Sequence, residues 1–103
     1  MSLLRLAERV MGEGEVFRAG ERLTCVAYEL SLYGEYLVKD GSLALAGQVV
    51  EGHVHASPDA LEALLGLTAP LTLHLEDGRR CDVYLLNTEG TITSADDRGC
   101  YWP

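Results

Sequence analysis

Across residues 24–33, TCVAYELSLY, large apolar side chains recur at every second position. Val26, Tyr28, Leu30 and Leu32 point one way, and Cys25, Ala27, Glu29 and Ser31 the other. A period of two predicts a half-buried strand. The KDG that follows, ending at Gly41, has the chemistry of a tight hairpin turn, because Asp-Gly tolerates positive φ. The next run, SLALAGQVVEGHVH, starts with Leu43 and Leu45 on one parity, slips at Val49–Val50 and continues with Val54 on the other. With Gly47 and Gly52 nearby, the slip predicts a β-bulge or sharp bend, the device that curls a sheet.

Two stretches depart from the period of two. SPDALEALLG has Ser57 as N-cap, Pro58 at the first helical position, Gly66 as stop and Leu61, Leu64 and Leu65 as a stripe, so it predicts a helix over 58–65. Asp59 suits the positive end of its dipole. Near the start, LLRLAERVM places Leu3, Leu4, Ala7, Val10 and Met11 at helical spacing between Ser2 and Gly12, and predicts an N-terminal amphipathic helix over 1–12. A helix so short needs a surface to dock on, either this domain's sheet or another subunit.

LTLHLEDGRRCDVYLLN reads as a hairpin. Leu71, Leu73 and Leu75 alternate with Thr72, His74 and Glu76, and Cys81, Val83 and Leu85 alternate with Arg80, Asp82 and Tyr84. Its central LEDGRR is expected to be a turn at Asp77-Gly78 flanked by a Glu76–Arg79 pair. Adjacent Arg79 and Arg80 face opposite sides of a strand and cannot easily form one anion fork. EGTITS predicts one more short strand. The expected whole is a single domain over 1–103: a β-barrel-like core over 15–94 and an aromatic tail over 95–103. Mainly β with one or two short helices, it is a small antiparallel barrel or strongly curled sheet, with an α+β roll as runner-up.

Composition narrows function by exclusion. The 103 residues carry a formal net charge of −8 and only one lysine, Lys39. Such a field repels phosphate backbones and anionic lipid, so neither a nucleic-acid nor a membrane partner is expected. The N-terminal stretch is broken by Arg5, Glu8 and Arg9 and lacks the apolar middle of a secretory signal, so the expected location is cytoplasmic. Cys25, Cys81 and Cys100, odd in number and widely spaced, do not suggest a disulfide framework. Cys25 and Cys81 are expected to be buried in strands, and Cys100 to be the reachable thiol. No acid–base or nucleophile signature is present, and neither catalysis nor a cofactor is expected.

Three candidate sites remain. His53 and His55, two apart on a strand, project from one face and could chelate a metal, with His74, Cys81 or an acidic residue completing the set. Leu3, Leu4 and Met11 on the expected helix, with Tyr101 and Trp102 in the tail, could form an interface with a protein partner or a second copy. Arg18 and Arg22 in RAGER are four apart, and DGSLALAG places Asp40, Ser42 and Gly47 downstream. This pattern resembles the PilZ domain, a small bacterial β-barrel that reads cyclic di-GMP through an R-x-x-x-R pair and a D/N-x-S-x-x-G turn. The resemblance implies a barrel and a nucleotide held by Arg18 and Arg22. This chain departs from it at Leu45, where the turn motif has glycine, and Gly47 comes two residues later.

The reading these observations favour is a non-catalytic β-barrel-like module that works by binding a protein partner or itself. A metal- or small-ligand-binding domain is the alternative.

Overall fold

A computed structural model describes residues 2–67 and 70–103. The alternating run at 24–33 is the middle of a much longer strand. In chain order the elements are β1 (Ser2–Arg18), β2 (Glu21–Lys39), β3 (Ser42–His55), α1 (Pro58–Leu65), β4 (Leu71–His74), β5 (Arg80–Leu85), β6 (Thr91–Ser94) and β7 (Cys100–Tyr101). The strands pair in the order β4-β1-β2-β3-β6-β5-β7, and a further β4–β5 pairing closes the sheet into a ring. Every pairing between these strands is antiparallel. The mainly β, curled architecture read from the sequence is therefore what forms, although the ring is no even barrel. The molecule measures 49 × 25 × 22 Å because β1, β2 and β3 run far beyond it.

Turn chemistry fixes the registers. Ala19 (φ 50°) and Gly20 (φ 82°) join β1 to β2, and Asp40 (φ 52°) and Gly41 (φ 79°) join β2 to β3. Two successive positive φ angles make type I′ turns, whose twist matches the strands they connect. The slip in β3 falls at Ala46: Glu35 faces Gly47 while Tyr36 faces Leu45, so Ala46 is the extra residue of a bulge. The bulge rephases the strand, which puts Leu43, Leu45, Val50 and Val54 on one face despite their mixed parity.

The ring encloses Val26, Tyr28, Leu30 and Leu32 from β2, Val50 and Val54 from β3, and Leu71, Leu73, Cys81, Val83 and Ile92 from the shorter strands. Helix α1 contributes Leu61 and Leu64. It begins where its cap predicts, with the Ala60 N–H donating to Ser57 Oγ at 3.2 Å. Among the described residues no polar or charged side chain is buried.

The N-terminal segment corrects the sequence reading: it is strand, not helix. Ser2 to Arg18 pairs along its length with β2, from Ser2↔Leu37 to Arg18↔Glu21. The α+β roll, which needed that helix across an open sheet, goes with it. The misleading spacing has a structural cause. Leu6 faces Tyr33 and Glu8 faces Leu32, so Ala7 is a bulge that breaks the alternation and leaves a three-four spacing behind. Leu, Ala, Glu and Arg favour helices in isolation, but a continuous ladder overrides that preference.

The cysteines also correct it. Cys81 and Cys100 form a disulfide across β5 and β7, with Cα atoms 4.6 Å apart, and Cys25 is the exposed thiol. The tail is thus stapled: Tyr101 pairs with Arg80, and its hydroxyl lies 3.2 Å from both Asp82 carboxylate oxygens.

Candidate interaction surface

Beyond the ring, the first part of β1, the last part of β2 and the first part of β3 form a three-stranded arm. It spans residues 2–7 and 33–47. Residues directly opposite on neighbouring strands share a face of the sheet. One face carries Leu3, Tyr36 and Leu45, with Leu43 beside Val38; the other carries Leu6, Tyr33 and Val49, with Leu37 beside Ala44 and Leu4 beside Glu35. Leu3, Leu4, Leu6, Leu37, Leu43 and Leu45 are all exposed, Leu45 at 59%. Both faces of the arm are largely apolar, broken by Arg5 over the Tyr36 ring on one and Glu35 on the other. Among the described residues, only the groove at Cys100 and Trp102 and the contact of Gly47 with Asp97 bring other parts of the chain against them.

Charge separates arm from ring as well. In the arm, Arg5 and Lys39 balance Glu35 and Asp40, so the whole formal charge of −8 lies outside it. Among the described residues the arm's outer edges are bare too, on β3 as far as Gln48, whose N–H donates to the Asp97 carbonyl at 2.8 Å. β4 pairs with β1 only at Glu15–Phe17, and β6 with β3 only at Glu51–His53. Among the described residues, no strand pairs with the outer edge of β1 from Ser2 to Gly12. The Glu13 N–H, by contrast, donates to Glu76 Oε1 at 3.3 Å.

LEDGRR is a turn, as expected, but a wider one with a structural task. Leu75 and Arg79 pair through the backbone (N–H to carbonyl, 2.8 Å), and Gly78, at φ 100°, donates back to the Leu75 carbonyl at 3.1 Å. Three residues therefore span the turn, not two. Arg79 does not pair with Glu76. Its Nη1 and Nη2 donate to the two Glu8 carboxylate oxygens at 3.0 and 3.1 Å, and its Nε to Asp77 Oδ2 at 2.8 Å. This fork clamps the β4–β5 turn to β1 where the arm leaves the ring. The hydrogen bond to Glu8 holds the Arg79 pKa up, and the backbone N–H of Arg79 holds Asp77 below the usual carboxylate range. Beside the clamp lies a groove of about 260 Å³ lined by Leu32, Tyr36, Leu45, Cys100 and Trp102.

The residues singled out from the sequence separate in space. Leu3, Leu4 and Met11 do stand exposed, but on strand β1. Leu4 and Met11 share one face and Leu3 takes the other. Trp102 is 67% exposed at the groove, whereas Tyr101 is tied to Asp82. Arg18 faces Glu21, and Arg22 faces Phe17, so the two arginines lie on opposite faces of the hairpin. Arg22 instead contacts Glu15 and sits 2.8 Å from the Cys25 sulfur. His53 and His55 share one exposed face, as their spacing predicts, and His55 Nε2 lies 3.3 Å from Glu29 Oε2. His74 is on β4, stacked on Phe17 with ring centroids 3.9 Å apart, and Cys81 is in the disulfide. Among the described residues no three His, Cys, Asp or Glu side chains are grouped to hold a metal ion, and no helix is long and apolar enough to cross a membrane.

Most of the arm lies outside the residues first singled out. The signal for it was an apolar run of both parities, LL at 3–4 and YLV at 36–38. Strands that read this way belong to sheets covered on both faces. Comparison with protein-family models, curated proteins and solved structures finds no match to the chain.

Proposed function

We propose that this chain is a non-catalytic β module that acts by protein–protein association through its arm. The supporting observation is the pattern of exposure: two largely apolar faces and two exposed strand edges on one charge-neutral projection. A contiguous apolar surface of this kind marks a docking site, and an uncovered apolar edge is otherwise a route to aggregation. Leu3, Leu4 and the groove beside Trp102 belong to that surface. The ring and its disulfide act as the platform that holds it out.

Native mass spectrometry of untagged protein, purified without a chelator, tests the reading. The expected species is larger than one chain, and Leu4→Lys with Leu37→Lys returns it to the mass of one. A single chain carrying only a metal or nucleotide increment would overturn the proposal and favour the ligand-binding alternative.

A further inference from the structure

Resting on that reading, we infer that the partner is a second copy of this chain, joined through the outer edges of the two β1 strands in a two-fold antiparallel ladder centred on Leu6. The argument is one of register. A two-fold axis normal to the sheet places each residue opposite one on its own face and sets the central residue against itself. Faces are fixed by the pairing with β2: Ser2, Leu4, Leu6, Arg9, Met11 and Glu13 on one, Leu3, Arg5, Glu8, Val10 and Gly12 on the other, with Ala7 as the bulge. Centring on Arg5, Glu8 or Arg9 opposes like charges directly.

Centring on Leu6 opposes Arg5 with Glu8 twice and Leu3 with Val10 twice, and brings Leu6 against Leu6. It uses residues 2 to 11, the stretch whose outer edge is bare. Each Glu8 oxygen keeps acceptor capacity after its bond to Arg79. Centring on Leu4 pairs only residues 2 to 6. Centring on Val10 forms no opposite-charge pair and sets Leu6 against Glu13. Centring on Met11 does oppose Arg9 with Glu13. That register, however, requires the edge at Glu13, where the N–H is held by Glu76, and sets Leu6 opposite Glu15, where β4 is already paired. Complementary charge and a free edge coincide only at Leu6.

Cysteine cross-linking reads the register directly, because directly opposed strand residues have Cα separations within disulfide range. In a Cys25→Ser background, Leu6→Cys should form a covalent dimer under mild oxidation while Met11→Cys and Leu45→Cys do not. Light scattering should give twice the chain mass, and Arg5→Glu should weaken the dimer about tenfold by opposing carboxylates at both pairs. Cross-linking through Met11→Cys or Leu45→Cys instead would overturn the register. A protein that stays monomeric at all concentrations would overturn the second copy as partner. If such a monomer co-purified with another polypeptide bound to the arm, the proposed function would survive that loss.

Discussion

The ring and the arm are built from the same three long strands, and a few residues along each strand decide which they become. On the face that Leu30 and Leu32 share, the ring packs them with Leu73 and Ile92 in a closed core, whereas Leu3, Leu43 and Leu45, farther out on that same face, stand exposed. The antiparallel ladder continues from one to the other with the same neighbouring strands, interrupted by the bulges at Ala7 on β1 and Ala46 on β3. What changes is the second layer. Within the ring the sheet curls back on itself and supplies one; along the arm none is present, although the side chains remain as apolar as those inside. On the proposed reading, stability and association belong to different ends of one sheet, and each should be open to perturbation alone.

The largest effect should come from the ring. Leu73 is 1% exposed, and Leu73→Ala removes its contacts and leaves a cavity, costing about 2–5 kcal/mol. Leu37→Ser should cost the monomer less than about 1 kcal/mol, since the side chain it removes is already half in water. Thermal melts at a concentration where the chain is monomeric compare the two. Equal losses would mean that the arm is part of the cooperative core and would break the distinction. Next in size is the staple. The disulfide closes a loop with a sequence separation of 19, and Cys100→Ser should cost about 3 kcal/mol by freeing the unfolded chain. Amide exchange should then rise in β5 and β7 and stay unchanged in the arm.

A smaller effect sharpens the boundary. Arg79 ties the ring's turn to Glu8 at the arm's base, and Arg79→Gln removes the fork. The Glu8 side chain is 43% exposed, so solvent screens much of the gain and the loss should be about 1 kcal/mol. Faster amide exchange near Glu8, with the strands of the ring still protected, is the expected signature. Uniform exchange throughout would show that the clamp does not mark the junction.

How much of this the sequence could show follows the same division. Where a strand has one face in the core, alternation is visible, and β2, β3, β4, β5 and β6 were legible, as was the Asp40-Gly41 turn, whereas the β4–β5 turn proved one residue longer than read. α1 was legible from its cap and stop residues. Where both faces are apolar, or a bulge intervenes, alternation disappears. Ala7 turned β1 into an apparent helix, and with it the arm was lost from view. The Cys81–Cys100 bond was equally hidden, because β7 is only two residues long and its pairing with β5 is a fact of tertiary structure. The interface candidates Leu3, Leu4 and Met11 were named for a helix face. They prove exposed for a different reason, a strand edge and two largely uncovered sheet surfaces.

The smallest effect is a pH dependence confined to the ring. His74 stacks on Phe17, and burial, followed by the nearby Arg80 charge, lowers its pKa below the ordinary 6.5, with Glu15 partly opposing. Its unfolded form therefore takes up a proton before the folded form does. The neutral ring's contribution is fully present above about pH 6.5 and is lost as pH falls from there through the folded value. The loss should stay under about 1 kcal/mol, since solvent still reaches the ring. His74→Phe keeps a flat ring against Phe17 and has no proton to accept, so its melting temperature should fall less than that of the parent between pH 7.5 and 5.5. Exchange of arm amides, measured in the same window, should show no corresponding difference between the two proteins, because His74 pairs with β1 only at Glu15, beyond the bare edge. Parallel melting curves would remove His74 as the source. A matching change in the arm would show that the two ends of the sheet are coupled after all.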